Sequence, residues 1–222
     1  MQHIFIKDFI TENKTENAEI KLSYQLFGLP LGEAPIVLVN HALTGNSNVA
    51  VGYRSNYANT TGSYNTFVGD SSGFLNTTGN TNSFYGDKSG LSSNGSYNTF
   101  LGNHTGYSNT GDSCIFIGNR SGINNTGQSN LFIGNRSGYS NTSGKYNTFL
   151  GYQSGFFNTT GYNNIFMGYR AGYDNTTGYS NVFLGFLAGY KNTTGNWNVL
   201  IGYDAGLNNN GWGNVCLGMA TG

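Results

Sequence analysis

The sequence is poor in charge, proline, cysteine and long apolar runs. Only 9% of its 222 residues are charged, against roughly 25% in an average chain. Ten acidic residues balance ten basic ones. The overall charge therefore gives no reason to expect nucleic acid or an acidic membrane surface as a partner. No stretch of ~18 apolar residues occurs, so no helical membrane span is expected. No basic stretch followed by an apolar one opens the chain, so no secretory signal is expected either. What remains is a chain with 35 glycines and 15% aromatics. That much apolar ring surface argues against a disordered low-complexity tract.

Composition breaks near residue 45. All glutamates (Glu12, Glu16, Glu19, Glu33) and both prolines (Pro30, Pro35) precede it, and the rest is Gly, Asn, Thr, Ser and aromatics. Residues 1–47 read as a β-rich head or cap. Ile20, Leu22, Tyr24 and Leu26 alternate with polar residues, the period of a half-buried strand. Ile36–Val39 is a short apolar run of buried-strand type, and Leu29–Pro35 between them is a turn. The run Tyr24–Gly28, with Ala34–Ser47 after it, resembles the N-terminal segment of homoserine O-acetyltransferases. The resemblance implies an α/β-hydrolase fold in such a protein, with Ala42 and Leu43 on its oxyanion loop.

Such an enzyme also needs a nucleophile elbow, an acid and a histidine. Past the head the only histidine is His104, and no segment has a helical apolar period. One literal G-x-S-x-G occurs, Gly69-Asp70-Ser71-Ser72-Gly73, but Gly69, Ser72 and Gly73 belong to repeat columns. The chain therefore reads as non-catalytic, an inactive fragment of that enzyme at most. No cofactor or metal site is expected.

From Asn48 onward a glycine closes each short apolar run, at Gly52, Gly69, Gly86, Gly102, Gly118, Gly134, Gly151, Gly168, Gly185, Gly202 and Gly218. Every interval is 16 or 17 residues, which marks a stacked array. Three glycine columns suit corners of positive φ or close backbone approach. The segments between them are too short for helices and rich in strand-forming residues. The fold expected over 48–222 is an all-β solenoid, or β-roll, of about ten to eleven coils. Cys114 and Cys216 lie six coils apart. At ~4.8 Å per coil the separation is too large for an intrachain disulfide.

Two asparagine columns are expected to be structural ladders. The first includes Asn65, Asn82, Asn98, Asn130, Asn147, Asn164, Asn181 and Asn198, with Cys114 as its exception. The second runs from Asn59 to Asn209, with Ser93 as its exception. Asn-Thr-Thr triplets also match the glycosylation pattern, but the repeat generates that match by itself.

The middle of each apolar run is a column of Phe67, Phe84, Phe100, Phe116, Phe132, Phe149, Phe166 and Phe183. Neighbouring strand residues point to opposite faces, so either this column or its flanks must face outward. An outward Phe column would be an interface stripe, and that is the expectation. The alternative is a wide coil that takes the rings inside.

The repeat resembles the head repeats of trimeric autotransporter adhesins and phage tail-fibre repeats. The shared element is seen in Asn65-Thr66-Phe67-Val68-Gly69 followed by Ser72 and Gly73. The resemblance implies a homotrimeric or fibrous β-roll on a cell surface or virion, binding a receptor or glycan. Candidate contact residues stand two after the anchor glycine: Arg54, Lys88, Arg120, Arg136, Gln153 and Arg170. A different class, ice binding, rests on the threonine column Thr60, Thr77, Thr159, Thr176 and Thr193.

Overall fold

The computed structural model describes residues 47–222 and, before them, the backbone of β1 (Gln2–Ile10) and β2 (Glu16–Tyr24). These two pair antiparallel, with Ile4 opposite Leu22 and Ile6 opposite Ile20. The strand expected around Ile20–Tyr24 is therefore β2. Leu26, the Leu29–Pro35 turn, the Ile36–Val39 strand and the loop at Ala42 and Leu43 lie outside the described residues.

Residues 48–222 form the β-solenoid. Eleven three-residue strands, from β3 (Val49–Val51) to β13 (Val215–Leu217), stack in sequence order as one parallel sheet. Register follows the repeat columns: Phe149 lies between Phe132 and Phe166. The remaining sides of each coil are turns, yet they too bond coil to coil. Gly155 N–H donates to the Ala171 carbonyl at 3.0 Å, and Thr159 N–H to the Thr176 carbonyl at 2.9 Å. Backbone pairing thus runs around the coil, as buried backbone requires.

The corners explain two of the glycine columns. Gly151 has φ 136° and its missing side chain makes room for the carbonyl of Gly168. Gly155 has φ 58°, and a Cβ there would strike the ring of Phe149. Two further columns adopt left-handed backbone without glycine. One contains Arg54, Lys88, Arg120, Arg136, Gln153 and Arg170; the other contains Tyr64, Tyr97, Tyr146 and Trp197. Left-handed backbone costs an L-residue ~1–2 kcal/mol. Coil-to-coil bonds offset that cost, such as Arg136 N–H to the Asn119 carbonyl at 2.9 Å.

The Phe column is the core, which corrects the expected interface. Phe67, Phe84, Phe100, Phe116, Phe132, Phe149, Phe166 and Phe183 are all 0% exposed. Their rings stack along the axis at 4.5–4.9 Å. Each buried ring stabilises by roughly 1.5–3 kcal/mol, with about 0.5–1.5 more from stacking. The cause is the glycine six residues later, whose absent side chain leaves the ring its space. Ala50 is the exception that fits the rule. Its coil has Asn56 in place of that glycine, and Asn56 is buried.

The asparagines close the coils. From Asn48 to Asn198 each amide nitrogen of the first column donates across its own coil, as Asn164 does to the Gly178 carbonyl at 2.8 Å. Its amide oxygen accepts the backbone N–H of the next column member, Asn181, at 3.0 Å. Asn65, Asn82, Asn147 and Asn181 make the same two bonds. This ladder runs mainly through backbone; direct amide-to-amide rungs dominate the second column. There Asn158 donates to Asn141 at 2.6 Å, and Asn175 to Asn158 at 2.7 Å.

Candidate functional site

With the rings inside, the outer face of the sheet is made by the two columns flanking them. One reads Val51, Val68, Tyr85, Leu101, Ile117, Ile133, Leu150, Met167, Leu184, Ile201 and Leu217: apolar at every coil. The other is mixed, polar at Thr66, Ser83, Thr99 and Thr148 and apolar at Val49, Ile115, Leu131, Ile165, Val182, Val199 and Val215. Leu101 is 50% exposed and Ile115 44%. This is the stripe that sequence reasoning placed one residue away. Apolar residues on both sides of the strand made the two faces look alike.

The stripe spans ten coil steps, about 48 Å, and is roughly 10 Å wide. That gives roughly 500 Å², the size of the largest patch on an ordinary monomer, which is often functional. Parallel sheets are ordinarily covered on both faces, and here a coil interior covers only one.

A second outward feature is aromatic and was missed in the sequence. Tyr152, Tyr169, Phe186 and Tyr203, one residue past the anchor glycine, stack at 5.3, 5.1 and 4.8 Å. Beside them Tyr139, Phe156, Tyr173 and Tyr190 stack at 5.0–5.2 Å. The signal was the one-coil spacing of these rings in the later coils. Because they stack on one another, they present edges rather than faces. Burial raises the Tyr173 hydroxyl above the usual tyrosine pKa, although the nearby Arg170 pulls it down.

The six contact candidates share one column and divide by environment. Gln153 is 5% exposed, capped by Arg170, whose Nε donates to its Oε1 at 2.8 Å. The Arg170 guanidinium also sits 5.2 Å from the rings of Tyr169 and Tyr173. Arg54 lies against Tyr53 and Phe74. Lys88, Arg120 and Arg136 are half-exposed.

The threonine column is engaged structurally. Thr60, Thr159 and Thr176 each donate their hydroxyls to the carbonyl one coil on, at 2.9–3.0 Å. Thr77 and Thr193 donate to the side chains of Asn94 and Asn210.

In the G-x-S-x-G string, Ser71 donates to Asp70 at 2.8 Å. His104 is two coils away in the same column, beyond hydrogen-bond reach at ~4.8 Å per coil. Among the described residues no three His, Cys, Asp or Glu side chains group as metal ligands, and no helix is long and apolar enough to cross a membrane. A shallow polar dent of about 330 Å³ opens near Thr110, Asp112, Gln128 and Lys145. It lies where the 16-residue coils lack one corner residue.

Cys114 interrupts the first ladder. Its thiol is pushed up to about 11, first by burial, although N–H groups of Asn130 and Ser129 face the sulfur. Cys216 is half-buried at β13, and both thiols are free. Comparison with known protein families, characterised proteins and solved structures finds no match to this chain.

Proposed function

We propose that the chain is a non-catalytic structural and adhesive rod that assembles with copies of itself through the outer face of its parallel sheet. The observation that carries this is the flanking column from Val51 to Leu217, apolar at all eleven strands. Joining two such stripes removes roughly 1,000 Å² of surface from water, the level at which specific interfaces begin. The resemblance to trimeric adhesin heads and tail-fibre repeats supports a homotrimer on a cell surface or virion. The seam is then the Val/Leu/Ile column and not the Phe column. An ice-binding reading has less support, because the threonine hydroxyls it needs are donated to neighbouring coils.

The test is absolute mass in solution, by light scattering behind a sizing column over a tenfold dilution. A mass of about three times 23.9 kDa is expected for the full chain. A monomer at every concentration overturns the assembly.

A further inference from the structure

The middle coils carry a row of cations that self-assembly does not use. Lys88, Arg120 and Arg136 stand in one column, with His104 between the first two and Arg170 two coils beyond Arg136. In-register stacking sets Arg120 and Arg136 one coil apart and Lys88 two coils from Arg120, at ~4.8 Å per coil. Among the described residues no hydrogen bond or ion pair engages the Lys88, Arg120 or Arg136 side chains. All three occupy left-handed backbone, φ 52–55°, where glycine or asparagine fits with less strain. Long cationic side chains are thus held at a strained position on three coils.

The neighbouring column is polar and pre-aligned. Asn119 Nδ2 donates to Asn103 Oδ1 at 2.9 Å, and Asn103 Nδ2 to Asp87 at 2.7 Å. Asn119 Nδ2 also reaches the Asn103 carbonyl at 3.5 Å, and Asn103 Nδ2 has a second hydrogen to give. Burial holds His104 below 6.5; Asp87 pulls it up, and Lys88 and Arg120 push it down. Its Nδ1 lies 2.8 Å from Asn103 Oδ1, which ties the ring to the asparagine column.

We propose that this cationic column binds a linear acidic polysaccharide lying along the coil axis. Anionic groups on neighbouring sugars meet Arg120 and Arg136 on adjacent coils and Lys88 two coils before Arg120, and Asn103 and Asn119 take sugar hydroxyls. The inference rests on reading the chain as an adhesive rod and gives that rod a ligand class. Nucleic acid fits less well. Duplex phosphates repeat at about 3.4 Å along a strand, out of step with the coils. Single strands need open ring faces for base stacking, and the adjacent rings instead stack on their neighbours, as His104 does on Tyr107 and Tyr139 on Phe156.

Fluorescence anisotropy of labelled octagalacturonate with the full chain at low salt tests this. The key variant is Arg120→Gln with Arg136→Gln, because Gln153 already occupies this column with φ 53°. Wild type binds, more weakly as salt rises, and the double variant loses at least about tenfold. Arg54→Gln, outside the run, binds as wild type does, and the methyl-esterified octamer does not bind. The inference is overturned if wild type fails to bind or the double variant binds equally well. Equal binding of the neutral octamer, or tighter binding of an oligothymidylate of matched length, also overturns it. Solution mass recorded on the same samples separates the two proposals: a monomer that binds the octamer contradicts assembly and leaves this inference standing.

Discussion

The two sides of each three-residue strand differ. Inward, the column is Phe in eight successive coils, and every ring is sealed from water. Outward, the same strands carry Thr, Ser, Val, Ile, Leu, Met and Tyr, changing from coil to coil. The inner side is under one geometric demand: a ring must fit against the glycine six residues on and the rings above and below. The outer side has no such demand from its own chain, so variation there is read by whatever covers it. Stability should therefore follow the inside, and association the outside.

The largest expected effect is on the inside. Phe149→Ala in mid-stack should cost about 4 kcal/mol, read from urea melts followed by circular dichroism. Gly155→Asn alone should cost about 3 kcal/mol by driving a side chain into the Phe149 ring. The two together should cost less than their sum, because Ala50 with Asn56 is that combination. Strict additivity would break the pairing argument.

Next comes the asparagine ladder. Asn164→Ala strands the buried Asn181 N–H, at about 1–3 kcal/mol, and leaves the Gly178 carbonyl with Asn175 Nδ2 as its remaining donor. A loss below about 1 kcal/mol would mean that water replaces the amide.

A smaller effect, of opposite sign, is expected at Cys114. Cys114→Asn restores the missing rung and should stabilise by about 1 kcal/mol. In wild type the burial that raises this thiol from 9.0 to about 11 makes the unfolded chain ionise first. Its contribution to stability is thus intact below pH 9 and lost as pH rises toward about 11. Thiol labelling at pH 8 should modify Cys216 quickly and Cys114 only on unfolding. Equal rates would contradict the buried placement.

Much of this was legible in the sequence. The glycine spacing gave the coil, and the two asparagine columns announced ladders before any contact was known. The side taken by the Phe column was not read, because Val-Phe-Leu or Ile-Phe-Ile is apolar on both faces of a strand. The signal that could have settled it was present: Phe67 with Gly73 through Phe183 with Gly189, and Ala50 with Asn56. The left-handed columns were invisible, because Arg, Tyr and Ser carry no mark of positive φ. Their strain is imposed by the stacked coils rather than by local preference. The ring ladders from Tyr152 to Tyr203 needed only a column reading that followed the outside as closely as the inside.

The most direct test of the division between faces is the solution mass of Ile117→Lys with Ile133→Lys, two outward residues on adjacent strands. The expected result is a particle of 23.9 kDa, monomeric at concentrations where wild type is assembled, with the wild-type circular dichroism spectrum and urea midpoint. A variant that keeps the wild-type mass, or that unfolds as readily as Phe149→Ala, would contradict it.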